Sequence, residues 1–278
     1  MTLFVNRLTH IDASLWCPQR GLTGVSWQVD VELDGDLGED GMLFDFGEVK
    51  PWLKRYLDAG VDHTLLVPTQ ASGVTFESSE QDVYLRATAP YDFEMRAPPE
   101  AVTAFPWSTI TPKRLAEHLS LELMRSPPAR VNAIRLALHE EVIEGPAYGY
   151  SHGLKRHAGN CQRIAHGHRS RLHIWQNGVR APLLESEWAA WLADRYLVDS
   201  ADIIDEENPD QLASRYHAQQ GEFFIRLPRQ RSAVLAAPTT VENIAAWLAR
   251  LIAERTGQLT RVQAFEGIDK GAIAEVKP

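Results

Sequence analysis

The sequence predicts an α+β protein of two tandem modules, each an antiparallel sheet with helices laid on one face. Three observations carry that prediction. Residues 24–34 alternate apolar and polar with period two, the pattern of a half-buried strand. Just beyond them the apolar spacing lengthens to that of a helix, at Val49, Trp52, Leu53, Tyr56 and Leu57. The order of features in residues 1–145 then recurs in residues 146–278, as expected of a duplicated unit.

In chain order, Val25, Trp27, Val29, Val31 and Leu33 face one way, with Ser26, Gln28, Asp30 and Glu32 opposite. Asp34-Gly35 opens a turn from which 41–46 returns as the second strand of a hairpin. Asp45 and Glu48 form a capping box for the helix that follows, and Gly60 stops it. Asp62-His63 comes next. Residues 68–110 read as loop with extended pieces at 83–87 and 93–96. Thr111 caps a second helix with Pro112 in its first turn, and 130–140 is a strand.

In the second half, 171–175 and 181–184 are candidate strands. Ser186 caps a helix bearing Trp188, Trp191, Leu192 and Tyr196. Thr239 and Glu242 form a capping box for a helix carrying Val241, Ile244, Ala245, Leu248, Leu251 and Ile252, closed by Gly257. Residues 196–202 echo 56–62 at an offset of 140, and 261–266 echo 135–140. The joint between the modules falls near 140–148. The acidic run from Asp202 to Asp210 reads as a solvated loop.

Composition narrows the function. Apolar content of 44 % and charged content of 23 % are those of a globular protein, and a net charge of −9 argues against a nucleic-acid partner. Two cysteines, Cys17 and Cys161, imply no disulfide framework. The N-terminus lacks a signal-peptide pattern, and no apolar run approaches the roughly 20 residues that cross a bilayer. These readings predict a cytoplasmic protein without a membrane partner.

The chemistry concentrates in residues 148–175. On a strand starting near residue 166, His166 and His168 leave the same face. His152 can arrive from a paired strand. Three imidazoles with one open position make a catalytic zinc site, and Cys161 stands where it can act beside the metal as base or nucleophile. Lys155, Arg156, Arg163, Arg169 and Arg171 supply local positive charge for an anionic substrate. The competing reading of the same stretch is a histidine-rich, solvated surface loop.

Taken together, these residues resemble the 6-pyruvoyl- and 6-carboxy-tetrahydropterin synthases. That family shows a strand His, a Cys and His-Gly-His, then Asp-Phe-Gly before a helix, Asp-His, Thr-x-Glu-Asn and a late Glu. Here Asp45-Phe46-Gly47 and Asp62-His63 lie in the first half, while His152, Cys161, His166-Gly167-His168, Thr240-Val241-Glu242-Asn243 and Glu266 lie in the second. The first half keeps His10 and Cys17 but has Thr23-Gly24-Val25 in place of His-Gly-His. The second has Asp202-Ile203 where Asp-His is expected. Neither copy is complete.

The resemblance implies a tunnelling fold whose modules join in an oligomeric barrel, hence a homo-oligomer. It implies Zn2+ on His152, His166 and His168, and a catalytic set of Cys161 with Asp62 and His63 from a first module. It implies that Glu266, or its counterpart Glu140, and Thr240 bind a pterin. The implied activity is a lyase reaction on 7,8-dihydroneopterin triphosphate, giving the 6-pyruvoyl product or the 6-carboxy product that leads to 7-deazaguanine derivatives such as queuosine. The alternatives are a tunnelling-fold enzyme for another pterin or purine and a non-catalytic zinc- and pterin-binding relative.

Overall fold

The computed structural model describes residues 1–204 and 208–278. Residues 205–207 of the acidic run therefore lie outside the described residues. The first half runs β1 (Thr2–Cys17), β2 (Gly21–Gly35), α1 (Phe46–Ala59), β3 (Leu65–Pro68), β4 (Val74–Ser78), β5 (Val83–Ala87), β6 (Phe93–Ala97), β7 (Val102–Phe105), α2 (Pro112–Leu123) and β8 (Val131–Glu140). The second runs β9 (Ala147–His152), β10 (His166–Gln176), β11 (Val179–Arg180), α3 (Pro182–Leu192), β12 (Arg195–Asp199), β13 (Ile203–Ile204), β14 (Gln211–Ala218), β15 (Gly221–Pro228), β16 (Ser232–Leu235), α4 (Val241–Thr256), β17 (Thr260–Phe265) and β18 (Gly271–Val276).

Each half builds one sheet around a long antiparallel hairpin: β7-β3-β1-β2-β8 in the first, β16-β12-β9-β10-β17-β18 in the second, with β11 on the end of β10. Val25, Trp27, Val29, Val31 and Leu33 are buried against Leu53 and Leu57 of α1 and Leu115 and Leu119 of α2. Each such leucine contributes about 1.5–3 kcal/mol by leaving water. Asp45 and Thr111 cap the two helices through their side chains. In the second half α4 lays Ile244, Leu248 and Ile252 over Leu172, Ile174 and Val262.

The sheets are mixed rather than purely antiparallel. β3 runs parallel to β1, and β12 parallel to β9, because a helix intervenes before each returns and carries the chain back to the starting edge. Other expectations change too. The partners of β2 are β1 and β8, not 41–46. At 181–184 a helix begins, with Pro182 at its first position, where the missing N–H costs nothing. Ser186 lies inside that helix, its Oγ donating to the Pro182 carbonyl. Tyr196 belongs to β12, so the 140-residue echo pairs a helix end with a strand. The cap of α4 is Thr240, not Thr239. Asp202 is buried and paired with Lys155 at 2.7 Å rather than solvated.

A third sheet, β13-β14-β15-β6-β5-β4, takes half its strands from each module and is joined by β6 against β15. Its inner face buries Leu85, Met95, Phe223 and Ile225 with Trp16 and Leu65 of the first module and Tyr196 of the second. The segments that interrupt the two copies thus fasten them to each other.

The two main hairpins also meet directly, through glycine. A Cβ on Gly24 would fall 2.0 Å from the Tyr150 carbonyl oxygen, and one on Gly167 would fall 2.8 Å from Ser14 Oγ. Ser14 Oγ donates to Ser151 Oγ at 2.7 Å. Ser14 pairs with Gly24 in one hairpin as Ser151 pairs with Gly167 in the other, so residues at equivalent register positions of the two copies touch.

Candidate active site

His152 ends β9 and sits in register opposite His166, which begins β10; His168 lies opposite Tyr150. All three imidazoles are buried, and their ligating nitrogens lie within 4.8 Å of one another. The Nδ1 of His152 faces the Thr239 carbonyl at 2.9 Å, and that of His166 the Arg163 carbonyl at 3.0 Å. A carbonyl only accepts, so both Nδ1 atoms carry the proton and both Nε2 atoms present a lone pair. Those two Nε2 atoms, and that of His168, have no hydrogen-bond partner among the described residues. Burial holds His152 and His166 well below the usual histidine range, hence neutral. Converging, buried Nε2 atoms without a hydrogen-bond partner are costly, and they suit a divalent cation. The triad could hold a metal ion.

The first module supplies what faces it. After α1, the Asp62 carboxylate accepts from the Asp12 backbone N–H through Oδ1 at 2.8 Å and contacts His63 Nδ1 through Oδ2 at 2.7 Å. The His63 N–H donates to the Asp12 carbonyl at 2.7 Å, holding His63 in the left-handed region at φ 55°. Such a conformation is strained for a side chain of this size. The ring centroid of His63 stands 5.4 Å from that of His166 and 6.2 Å from that of His168. Asp62 occupies Nδ1, which leaves Nε2 to interact with the nearby Cys161. Burial alone would depress the His63 pKa, but the hydrogen bond to Asp62 and the proximity of Cys161 outweigh it and push it up to about 10. The turn carrying Cys161 is held to the first module by Asn160, whose Nδ2 donates to the Asp58 carbonyl at 3.1 Å.

The pterin-binding candidates are placed differently from one another. Glu266, half-buried just after β17, lies near Tyr150 and Lys270: burial chiefly raises the Tyr150 pKa and Glu266 adds to it, while burial opposes but Asp12, with Glu266, raises that of Lys270. Thr240 caps α4 and borders a cavity of about 290 Å³ with Gly153, Lys155 and Asp202. Glu140 is exposed and paired with Arg169 at 3.3 Å; no contact among the described residues joins it to the cluster.

Hairpin register also corrects how the copies correspond. His152 and His166 occupy the places that Leu15 and Thr23 hold in the first copy, so His10 is not the counterpart of His152. His63 and Asp194 correspond: each has a left-handed φ, 55° and 57°, and each N–H donates to the first strand of its own hairpin, at Asp12 and Gly149. The second copy therefore has Ala193-Asp194, not Asp202-Ile203, at the Asp-His position. Asp194 there accepts from Thr23 Oγ1, so the residues matching the triad and His63 are tied together by a hydrogen bond.

Two supporting residues escaped the sequence reading. Thr239, beside the cap, backs His152. Asp12 is fully buried, with Ser26 donating to Oδ1 at 2.5 Å and Lys270 to Oδ2 at 3.3 Å. Burial would raise its carboxyl pKa, but His168, Lys270 and Ser26 together hold it far below the carboxylate range. The available signal was a lone acid inside the otherwise small or apolar run 11–16.

The sequence model of the 6-pyruvoyl tetrahydropterin synthase family matches residues 8–142 and again residues 146–277. The chain belongs to that family. It is a tandem form, with two 6-pyruvoyl tetrahydropterin synthase copies of the tunnelling fold in one chain. Among solved structures, a catalytic-residue mutant of the 6-pyruvoyltetrahydropterin synthase of Plasmodium vivax is 15 % identical with a TM-score of 0.42, covering 52 % of this chain and 93 % of that one. The Plasmodium falciparum enzyme is 16 % identical with a TM-score of 0.38, covering 50 % and 91 %. No curated protein matches. In this tandem 6-pyruvoyl tetrahydropterin synthase-family chain, the second copy provides the triad and Cys161, and the first provides Asp62, His63 and Asp12.

Proposed function

We propose that the chain is a zinc-dependent pterin synthase acting on 7,8-dihydroneopterin triphosphate, of the 6-carboxy or 6-pyruvoyl type, with a site assembled between the first and second copies. The observation that carries this reading is the approach of His63 of the first copy to the second copy's triad, its ring 5.4 Å from that of His166 and near Cys161, beside three buried histidines whose Nε2 atoms have no hydrogen-bond partner among the described residues.

Both reaction types begin by taking a weakly acidic proton from a carbon that bears a hydroxyl. His152, His166 and His168 would hold the zinc, which when bound would supply Lewis-acid stabilisation of developing negative charge on a substrate oxygen. Cys161 takes the carbon-bound proton and returns one later in the sequence. His63 exchanges protons with Cys161 through Nε2, while Asp62 fixes the ring through Nδ1 and favours its charged form. Glu266 accepts the adjacent N–H donors of the pterin edge in bidentate fashion, with Thr240 toward the ring. Glu140, the other candidate anchor, is assigned no role because it is exposed and paired with Arg169.

We also read the chain as a homo-oligomer, since β7, β8, β16 and β18 each end a sheet and unpaired edges favour further strand pairing. Among the described residues no helix is long and apolar enough to cross a membrane.

The test is metal analysis of purified protein together with turnover of dihydroneopterin triphosphate by wild type and Cys161→Ala. The expected result is about one zinc per chain and loss of turnover in the variant by about 10²- to 10⁴-fold, the range for a positioned acid–base group. Unchanged turnover would remove Cys161 from the mechanism. Tight pterin binding without turnover in wild type would identify a binding protein instead.

A further inference from the structure

We propose that Asp12, on the first strand of the first copy, is the positioning residue for His168, and that metal affinity in the second copy therefore depends on a carboxylate supplied by the first. The inference rests on reading the triad as a metal site.

The three imidazoles are not supported alike. His152 and His166 each direct Nδ1 at a backbone carbonyl of their own copy, which fixes ring and tautomer. His168 has no such carbonyl. Its Nδ1 makes no hydrogen bond among the described residues; the polar group facing it is Asp12 Oδ1 at 3.4 Å, about 0.4 Å beyond a usual N–H···O hydrogen bond. A carboxylate there selects the Nδ1–H tautomer and leaves Nε2 free for the metal, the arrangement in which a second carboxylate layer orients a ligating histidine.

Asp12 is itself held from several directions. Ser26 Oγ donates to the same oxygen that faces His168, and Lys270 to the other. Its backbone N–H and carbonyl are both taken by the Asp62-His63 turn. A Cβ on Gly267 would fall 2.6 Å from Oδ1, so the turn after β17 leaves room for this carboxylate and little else. One residue therefore fixes the orientation of a ligand in the second copy and the backbone of the acid–base pair in the first. The equivalent position of the second copy, by hairpin register, is Gly149, whose carbonyl likewise accepts from the Asp194 N–H but which has no side chain to orient an imidazole.

The experiment uses full-length protein stripped of metal, with Co2+ and Zn2+ as probes. Wild type is titrated with Co2+ and followed by its visible absorption, then competed with Zn2+. Asp12→Asn should weaken zinc affinity by about 10- to 100-fold, the usual cost of losing such a partner, and should alter the Co2+ spectrum. Ser14→Ala, which removes a hydrogen bond between the copies but none to an imidazole of the triad, should leave both as in wild type. Equal affinity and an identical spectrum in Asp12→Asn would overturn the proposal, as would an equal loss in Ser14→Ala. Where Asp12→Asn fails to fold, nitrogen-15 NMR of the wild-type apoprotein decides: a proton on Nδ1 of His168 is expected, and a proton on its Nε2 refutes. A wild type that binds neither ion would overturn the metal site itself, whereas a wild type that binds and an Asp12→Asn that binds equally would overturn only the role of Asp12.

Discussion

Gly24→Ala is the sharpest perturbation of the joint between the copies. The added methyl would lie 2.0 Å from the Tyr150 carbonyl oxygen, 2.4 Å from that of His168 and 2.6 Å from the His168 nitrogen. Ordinary contact begins near 3.4 Å, so the sheets must separate by more than an ångström. All three atoms are backbone, and no rotamer change relieves them. Overpacking typically costs about 1–3 kcal/mol, and a backbone-on-backbone clash belongs at the upper end. For a chain of this size about 3 kcal/mol corresponds to a fall in Tm of about 6–12 °C. Separation also acts on the site, because it moves Asp12 from His168 and His63 from Cys161 together. Thermal unfolding with zinc competition on the same samples measures both effects. Gly47→Ala is the control: it lies in the first turn of α1, and its methyl meets only Asp45 Oδ1 at 3.1 Å. It should be neutral or slightly stabilising. Wild-type Tm and zinc affinity in Gly24→Ala would refute the account of how the copies meet.

Further outcomes are expected elsewhere. Zinc at 100 times its dissociation constant should stabilise the stripped protein by about 2.7 kcal/mol, read as a Tm increase that His166→Ala abolishes. Phe223→Ala should cost about 3–5 kcal/mol in urea unfolding and should loosen both copies in hydrogen exchange, because the third sheet's core is shared between them. Burial would raise the pKa of Glu185, but Arg180 and the Ile174 N–H outweigh that and depress it. Its stabilisation is therefore present above the unfolded carboxylate pKa, about 4.3, and fades as pH falls through the lower folded value. The stability gap between wild type and Glu185→Gln should accordingly shrink on acidification; a gap that widens would contradict the assignment.

What the sequence disclosed follows from which forces were local. The period-two run at Val25–Leu33 and the helical stripe from Val49 to Leu57 each have one apolar face against one core, so the pattern survives in sequence. β1 hid because its inner end, 11–16, is buried on both sides. Its polar Asp12 and Ser14 face the other copy rather than water, which erases the alternation. The third sheet was illegible as a sheet because its joining pair, Glu94 and Arg226, lies 132 residues apart. The start of α3 went unseen because Pro182, not a capping side chain, begins it. The triad was legible from His-x-His on a strand; its supports were not. Thr239 acts partly through a carbonyl that any residue possesses, and Asp12 acquires a role only once the second copy is packed against it.

The most direct test of the central claim is the turnover of dihydroneopterin triphosphate by the double variant His63→Ala/Cys161→Ala, beside each single variant. If the two residues form one proton-transfer unit across the copies, each single change removes nearly the whole contribution and the double variant is no slower than the worse single, since groups that act as a unit are strongly non-additive. Losses that multiply in the double variant would show that His63 and Cys161 act independently, and that the site is not assembled as described.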